Sequence, residues 1–236
     1  MKLSVVIPVY NELKTLPEVF KRLAALPLEK EVIAVDDGST DGSRRWLEEA
    51  LESGRFPFEL KLLKHEKNRG KGRALITGFS AASGEAVIVQ DADLEYDCKY
   101  IPEVVRPICE GRADAVYGSR LICGGSQLYS RLYLAGNMFL TFLINLLFSS
   151  RMSDSYTCYK AFSAPCLRSL DLSSDGFEIE AEISCKLAFS RARFEEVPIV
   201  SLSRSREEGK KINCRDALRG IAKILLLRLT LGGKNA

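Results

Sequence analysis

The apolar run Val87-Ile88-Val89 leads into Gln90-Asp91-Ala92-Asp93-Leu94-Glu95, so carboxylates recur at every second residue. In an extended chain successive side chains take opposite faces, which predicts Asp91, Asp93 and Glu95 on one face with Ala92 and Leu94 on the other. Carboxylates crowded together repel one another unless a cation sits among them. Oxygen-only donors select hard ions, Mg²⁺ or Mn²⁺, and few protein ligands leave positions for substrate phosphates and water. A lone Asp-x-Asp is also what a solvated acidic turn looks like, so the neighbouring motifs decide its weight.

Asp36-Asp37-Gly38-Ser39-Thr40-Asp41-Gly42 is a second acidic cluster. Ser39 and Asp41 suit a helix cap. The adjacent pair Asp36-Asp37 repels itself, and hydrogen bonds to a base or ribose hydroxyl would offset that. Asn68-Arg69-Gly70-Lys71-Gly72-Arg73-Ala74 lacks both the third glycine of a dinucleotide fingerprint and the Gly-Lys-Ser/Thr ending of a P-loop. It reads instead as a basic turn feeding a helix N-terminus, a setting that suits a diphosphate.

Buried strands must position these groups. Leu3 to Pro8, Glu31 to Val35, Phe58 to Lys64 and Ala86 to Gln90 read as strands, separated by helical patterns near 13–25, 41–53 and 71–83. Such alternation specifies an α/β doubly wound, mostly parallel sheet whose ligands bind beyond the carboxyl ends of the strands. Further strands are expected at Ala115 to Tyr117, ahead of Gly118-Ser119-Arg120, and at Phe194 to Val200. Between them Leu132 to Phe148 reads as a helix that is apolar except for Asn137, Thr141 and Asn145, which form one stripe. Such a helix is either core or in contact with lipid.

Length and composition fit one α/β domain: 236 residues, 46% hydrophobic and 28% charged. A net charge of +3 is too small to imply nucleic-acid binding. Seven cysteines without a Cys-x-x-Cys pair, and a single histidine, give no zinc site or disulfide framework. No signal peptide is expected, and no run approaches the ~20 apolar residues of a spanning helix.

Taken together, Val6-Ile7-Pro8-Val9-Tyr10-Asn11-Glu12, Val35 to Gly42, Asn68 to Gly72, Asp91-Ala92-Asp93-Leu94-Glu95-Tyr96 and Gly118-Ser119-Arg120 occur in the order and spacing of family 2 glycosyltransferases with the GT-A fold. The chain resembles the dolichyl-phosphate mannose synthase branch, and Asp154 to Phe162, Gly176 to Glu180, and Glu196 to Ile199 through Gly209 to Ile212 extend the likeness over roughly residues 3–213. The resemblance implies a Rossmann-like sheet flanked by helices (1–213), and the residue pattern beyond it predicts an amphipathic C-terminal helix (214–236). It implies donor contacts from Pro8, Tyr10, Glu12, Val35, Asp36, Asp37, Lys71, Gly72, Asp91, Ala92 and Asp93, and a metal held by Asp91, Asp93 and Glu95. Family members often carry Gln at the position of Glu95. Acceptor phosphate contacts are expected from Arg120, Arg131, Arg204 and Lys210, although Ser203 and Arg206 stand where the branch has Pro and Tyr.

The implied reaction is metal-dependent, inverting transfer of a hexose, from GDP-mannose or UDP-glucose, to a polyprenyl or dolichyl phosphate. A phosphate monoester carries about −1.5 to −2 charges at neutral pH and needs no base. A hydroxyl acceptor does, and the alternative is therefore a soluble family 2 transferase with Asp154 as base. A nucleotidyltransferase would show a basic, Gly-rich loop after the first strand, unlike Tyr10-Asn11-Glu12. In the C-terminal segment Arg215, Arg219 and Lys223 form one helical stripe and Leu218, Ile221, Ala222, Leu225 and Leu229 another, with Arg228 as the misfit. That pattern fits a helix lying on an anionic membrane surface, at the cytosolic face, or one packed on the domain.

Overall fold

A computed structural model describes residues 1–122, 131–202 and 214–232. The expected strands are β1 (Leu3–Val9), β2 (Lys30–Asp36), β3 (Glu59–Lys64), β4 (Ala86–Val89), β5 (Ala115–Ser119) and β7 (Phe194–Pro198). Between β5 and β7 lies β6 (Lys160–Ser163), a strand not expected from the sequence pattern. The sheet order is β3-β2-β1-β4-β6-β5-β7, and β6 alone runs antiparallel to its neighbours β4 and β5. Register pairs Val9 with Asp36 and Val6 with Val89, so β1, β2 and β4 deliver their carboxyl ends to one place.

Helices α1 (Leu16–Ala25), α2 (Ser43–Ser53) and α3 (Lys71–Ala81) are the crossovers expected from the periodicity. The sequence reading did not assign α4 (Ile101–Cys109), α6 (Ala164–Ser169) or α7 (Ile179–Ser190), whereas α5 (Arg131–Phe148) and α8 (Cys214–Gly232) match expected helices. The central strands are buried on both faces, which is why they read as continuous apolar runs. Alternate residues of β1 enter two cores: Val5, Ile7 and Val9 join Phe20, Val104 and Ile108, while Val6 joins Leu75, Ile183 and Ile224.

Helix α5 is amphipathic in the reverse of the usual sense. Its polar stripe faces the protein: Asn145 Nδ2 donates to the Met152 carbonyl at 2.8 Å, and Thr141 Oγ1 lies 2.8 Å from Ser155 Oγ. Met138, Phe139, Phe142 and Leu146 are each more than half exposed. Helix α8 packs on α5 and α7 by burying Ile224 and Leu227, each worth up to about 1.5–3 kcal/mol. A Cβ at Gly220 would stand 2.1 Å from the Tyr156 hydroxyl, so glycine permits that approach. The expected stripes of α8 need correction. Lys223 turns inward to within 3.6 Å of Glu182 and Ile221 packs against the core, while Leu218, Leu225, Leu226 and Leu229 remain exposed beside Arg215, Arg219 and Arg228. No helix among the described residues is long and apolar enough to cross a membrane.

Candidate active site

The carboxyl ends of β1, β2 and β4 open into a cavity of ≈ 330 Å³. Pro8, Tyr10, Glu12, Asp37, Lys71, Asp91, Ala92, Asp93 and Glu95 line it, joined by Cys158 and Phe177, which sequence reasoning did not single out. Three expected donor residues lie elsewhere. Val35 is wholly within the core. Asp36, also fully buried, points to α2, where Arg44 Nε donates to its Oδ2 at 2.7 Å. Gly72 packs at the start of α3, where a Cβ would meet the Ser174 carbonyl at 2.3 Å.

The carboxylates do not come from one strand face. Strand β4 stops at Val89, and Gln90 to Glu95 form a turn, so two-residue alternation does not apply. Gln90 Nε2 holds this turn through the carbonyls of Asp91 and Tyr96, at 3.0 and 3.1 Å. Leu94 takes φ 63°, a left-handed conformation uncommon for a bulky residue. The Glu95 N–H donates to Asp93 Oδ1 at 3.0 Å. The turn, not the pleat, is what brings Asp91, Asp93 and Glu95 to the same cavity.

Asp37 has a different setting from its neighbour. Its carboxylate accepts from the N–H groups of Arg69 (2.9 Å) and Gly70 (2.8 Å), and His65 Nδ1 lies 2.6 Å from Oδ1. His65 Nε2 lies 3.0 Å from Thr77 Oγ1. Asp37 therefore ties the end of β2 directly to the glycine-containing loop, and His65, the only histidine of the chain, links it to Thr77 of α3. Ser39 and Asp41 anchor the loop after β1, accepting from Asn11 N and Leu13 N, each at 3.0 Å. Asp41 also accepts from Ser43 N at 2.9 Å, but the N-cap of α2 is Gly42 with no side-chain cap bond, so neither Ser39 nor Asp41 is the expected cap.

Lys71 projects from the first turn of α3 into the cavity, 2.9 Å from Asp91 Oδ1 and 3.4 Å from Glu180 Oε1. Burial works against its charge, but Asp91 and Glu180 outweigh that and hold its pKa well above the usual lysine value. Glu180 in turn pairs with Lys160 of β6. The Lys160 ammonium donates to the carbonyls of Ser155 (3.0 Å) and Thr157 (2.7 Å) as well.

Asp154 and Arg120 form a closed fork. Arg120 donates through Nε (2.7 Å), Nη2 (2.8 Å) and its backbone N–H (3.1 Å), and Asn137 Nδ2 adds a fourth bond at 2.8 Å. Asp154 is fully buried. Desolvation alone would raise its pKa, yet Arg120 and Asn137 keep it below the usual carboxylate range. A carboxylate so held orients Arg120, the role that competes with proton abstraction for Asp154. Glu196 fixes the turn by accepting from Ser153 N and Asp154 N, at 3.0 and 3.3 Å. Burial pushes the Glu196 carboxyl above its ordinary pKa. The side chain of Arg131, and Arg204 and Lys210 altogether, lie outside the described residues.

The donor set suits a hard cation. Asp91, Asp93 and Glu95 line the cavity with carboxylates, Asp91 paired with Lys71 and Asp93 accepting from the Glu95 N–H. Among the described residues no group of three His, Cys, Asp or Glu side chains is gathered closely enough to hold an ion alone. An ion here would complete its shell with ligand oxygens and water, as Mg²⁺ does readily.

Residues 4–170 match the family described as Glycosyl transferase family 2. The chain is 33% identical over 216 residues to the dolichol-phosphate mannosyltransferase of Pyrococcus furiosus, a match covering 89% of this chain and 59% of that protein. It is 30% identical over 221 residues to the undecaprenyl-phosphate mannosyltransferase of Micrococcus luteus, covering 89% and 87% of the two. Among solved structures, glucosyl-3-phosphoglycerate synthase from Mycobacterium tuberculosis, in complex with Mg²⁺ and uridine diphosphate, superposes with a TM-score of 0.70 at 22% identity, over 96% of this chain and 79% of that one. That likeness shows the fold, the GT-A arrangement expected from the motifs. On these matches, the first of which spans about three fifths of the Pyrococcus furiosus relative, the chain belongs to glycosyltransferase family 2.

Proposed function

We propose that this enzyme moves a hexose from a nucleoside diphosphate sugar to a polyprenyl phosphate, with inversion at the anomeric carbon. The reading is carried by one juxtaposition: Asp93, Glu95 and Lys71 line the same cavity at the carboxyl ends of β1, β2 and β4. GDP-mannose is the first candidate donor and UDP-glucose the second. Asp93 and Glu95 would hold Mg²⁺ or Mn²⁺, with Asp91 beside them near sugar and ribose. When bound, the ion neutralises charge on the departing diphosphate. Pro8, Tyr10, Glu12 and Asp37 bound the nucleoside end, and Lys71 adds a cation beside the diphosphate.

The state of Asp154 supports a phosphate acceptor over a hydroxyl. Its partners Arg120 and Asn137 are donors that keep it ionised and engaged. An ionised phosphate oxygen attacks the anomeric carbon directly as the bond to the leaving nucleoside diphosphate breaks; no proton has to be removed. Arg120 is placed to orient that phosphate, with Arg131, Arg204 and Lys210 as further expected contacts. The relatives named for polyprenyl-phosphate substrates support the same acceptor.

A lipid acceptor requires access to a membrane surface. The exposed apolar side chains of α5 and α8, next to Arg215, Arg219 and Arg228, suit peripheral contact with the cytosolic leaflet, which carries anionic lipid. Assay of a panel of nucleotide sugars with a short polyprenyl phosphate and Mn²⁺, following nucleoside diphosphate release, tests the proposal. Release that needs the phosphate acceptor supports it, and release with hydroxyl acceptors alone would sink it.

A further inference from the structure

Behind the cavity wall, four charges alternate in sign: Lys160, Glu180, Lys71 and Asp91. Side-chain exposure rises along the series, from 1% at Lys160 and 3% at Glu180 to 11% at Lys71 and 13% at Asp91. The chain thus runs from the middle of the sheet to the cavity surface. Its inner end is anchored by backbone, since Lys160 also donates to the carbonyls of Ser155 and Thr157. Removing both partners of a buried ion pair is often neutral or stabilising, so burial of Lys160 and Glu180 is not itself a gain in stability. Glu180, however, also reaches Lys71 Nζ at 3.4 Å.

We infer that Glu180 is a positioning residue for the donor: it holds Lys71 against Asp91, and so fixes the cation and carboxylate that meet the sugar nucleotide. The inference rests on the donor-pocket reading above. A free lysine side chain samples many rotamers, and a fixed one arrives with that freedom already removed. Glu180 lies outside the cavity lining, so it acts through Lys71 and not by touching the nucleotide.

A double-mutant cycle separates this from a purely structural role. GDP and UDP, with Mn²⁺, are titrated calorimetrically into the wild type, Lys71→Met, Glu180→Asp and the combined variant, with thermal unfolding of each. Glu180→Asp keeps a negative charge opposite Lys160 but shortens its reach toward Lys71. It is expected to weaken nucleotide binding roughly tenfold, the scale of one charged hydrogen bond. Lys71→Met should weaken binding at least as much, and the combined variant no more than Lys71→Met alone. Additive losses would overturn the inference, as would wild-type affinity in a folded Glu180→Asp protein. If Glu180→Asp fails to fold, Lys160→Met/Glu180→Gln removes both buried charges and replaces it in the cycle, with the same two outcomes. Absence of nucleotide binding by the wild type would instead overturn the donor-pocket reading and, with it, the inference.

Discussion

The two sides of the site handle charge in opposite ways. On the donor side negative charge dominates the cavity: Asp91, Asp93 and Glu95 line it with Lys71, and Lys160 lies behind them. On the other side the charged group is Arg120, and a buried carboxylate, Asp154, already holds it. One half calls for a cation carried in with the ligand. The other presents an oriented, locally neutral pair, so the attraction for an anionic acceptor has to be completed by further basic residues. The comparison predicts that damage on the two sides will differ in kind.

The largest expected loss is on the donor side. Asp93→Asn should lower transfer by about 10³-fold, the scale of several kcal/mol of lost charge stabilisation at a metal site, and chelation of the divalent ion should do the same to the wild type. Retained activity in either experiment would remove the metal from the account. Next in size is Asp154→Asn, which leaves a buried arginine without its counter-charge, a change that costs about 3–5 kcal/mol when a buried pair is broken. It should lower the unfolding midpoint and raise KM for the acceptor while leaving nucleotide affinity unchanged. A fall in kcat alone, with the midpoint unmoved, would restore Asp154 as a base.

Much of the donor half was legible in the sequence because its signals are local. Apolar runs followed by polar turns gave β1, β2 and β4, and each cluster at their ends contributes a side chain to the cavity. Asp36 was misplaced because adjacent carboxylates look equivalent in a sequence, whereas in the fold one meets Arg44 and the other the glycine-containing loop. The strand-face argument for Asp91, Asp93 and Glu95 failed on a single boundary, since pairing ends at Val89. The other half was less legible. Strand β6 has four residues with a lysine at its start, and that lysine is buried only because Glu180, twenty positions along the chain, comes back to meet it. Likewise His65 as a partner of Asp37, and Asn137 as a partner of Asp154, are long-range pairs without a short motif.

Smaller effects sharpen the picture of the outer helices. Phe142→Glu combined with Leu225→Glu places charge on the exposed face of α5 and α8, where each apolar side chain is worth up to about 1.5–3 kcal/mol on transfer from water. Co-sedimentation with anionic liposomes should fall at least tenfold, with nucleotide binding intact. Unchanged sedimentation would reassign that face to a protein partner or a further segment of chain. Gly220→Ala should cost about 1–3 kcal/mol through the Tyr156 contact, lowering the unfolding midpoint by several degrees. An unmoved midpoint would mean that α8 contributes little to the domain.

The smallest expected effect depends on pH. Burial opposes the charge of Glu182, but Lys186 and the 173–174 segment hold its pKa down to about 2, from an ordinary 4.5. Its stabilisation is complete above the unfolded value and is lost as pH falls from about 4.5 toward about 2. The wild-type unfolding midpoint should therefore fall more steeply across that window than that of Glu182→Gln. Parallel slopes would show that the pair with Lys186 contributes nothing.

The central claim is tested most directly by where the sugar goes. Labelled GDP-mannose and UDP-glucose are offered, with Mg²⁺ or Mn²⁺, to a short polyprenyl phosphate, the parent polyprenol and a soluble glycan. The account predicts label in the organic phase with the phosphate acceptor alone. Label on the polyprenol or the glycan, with the polyprenyl phosphate inert, would contradict it.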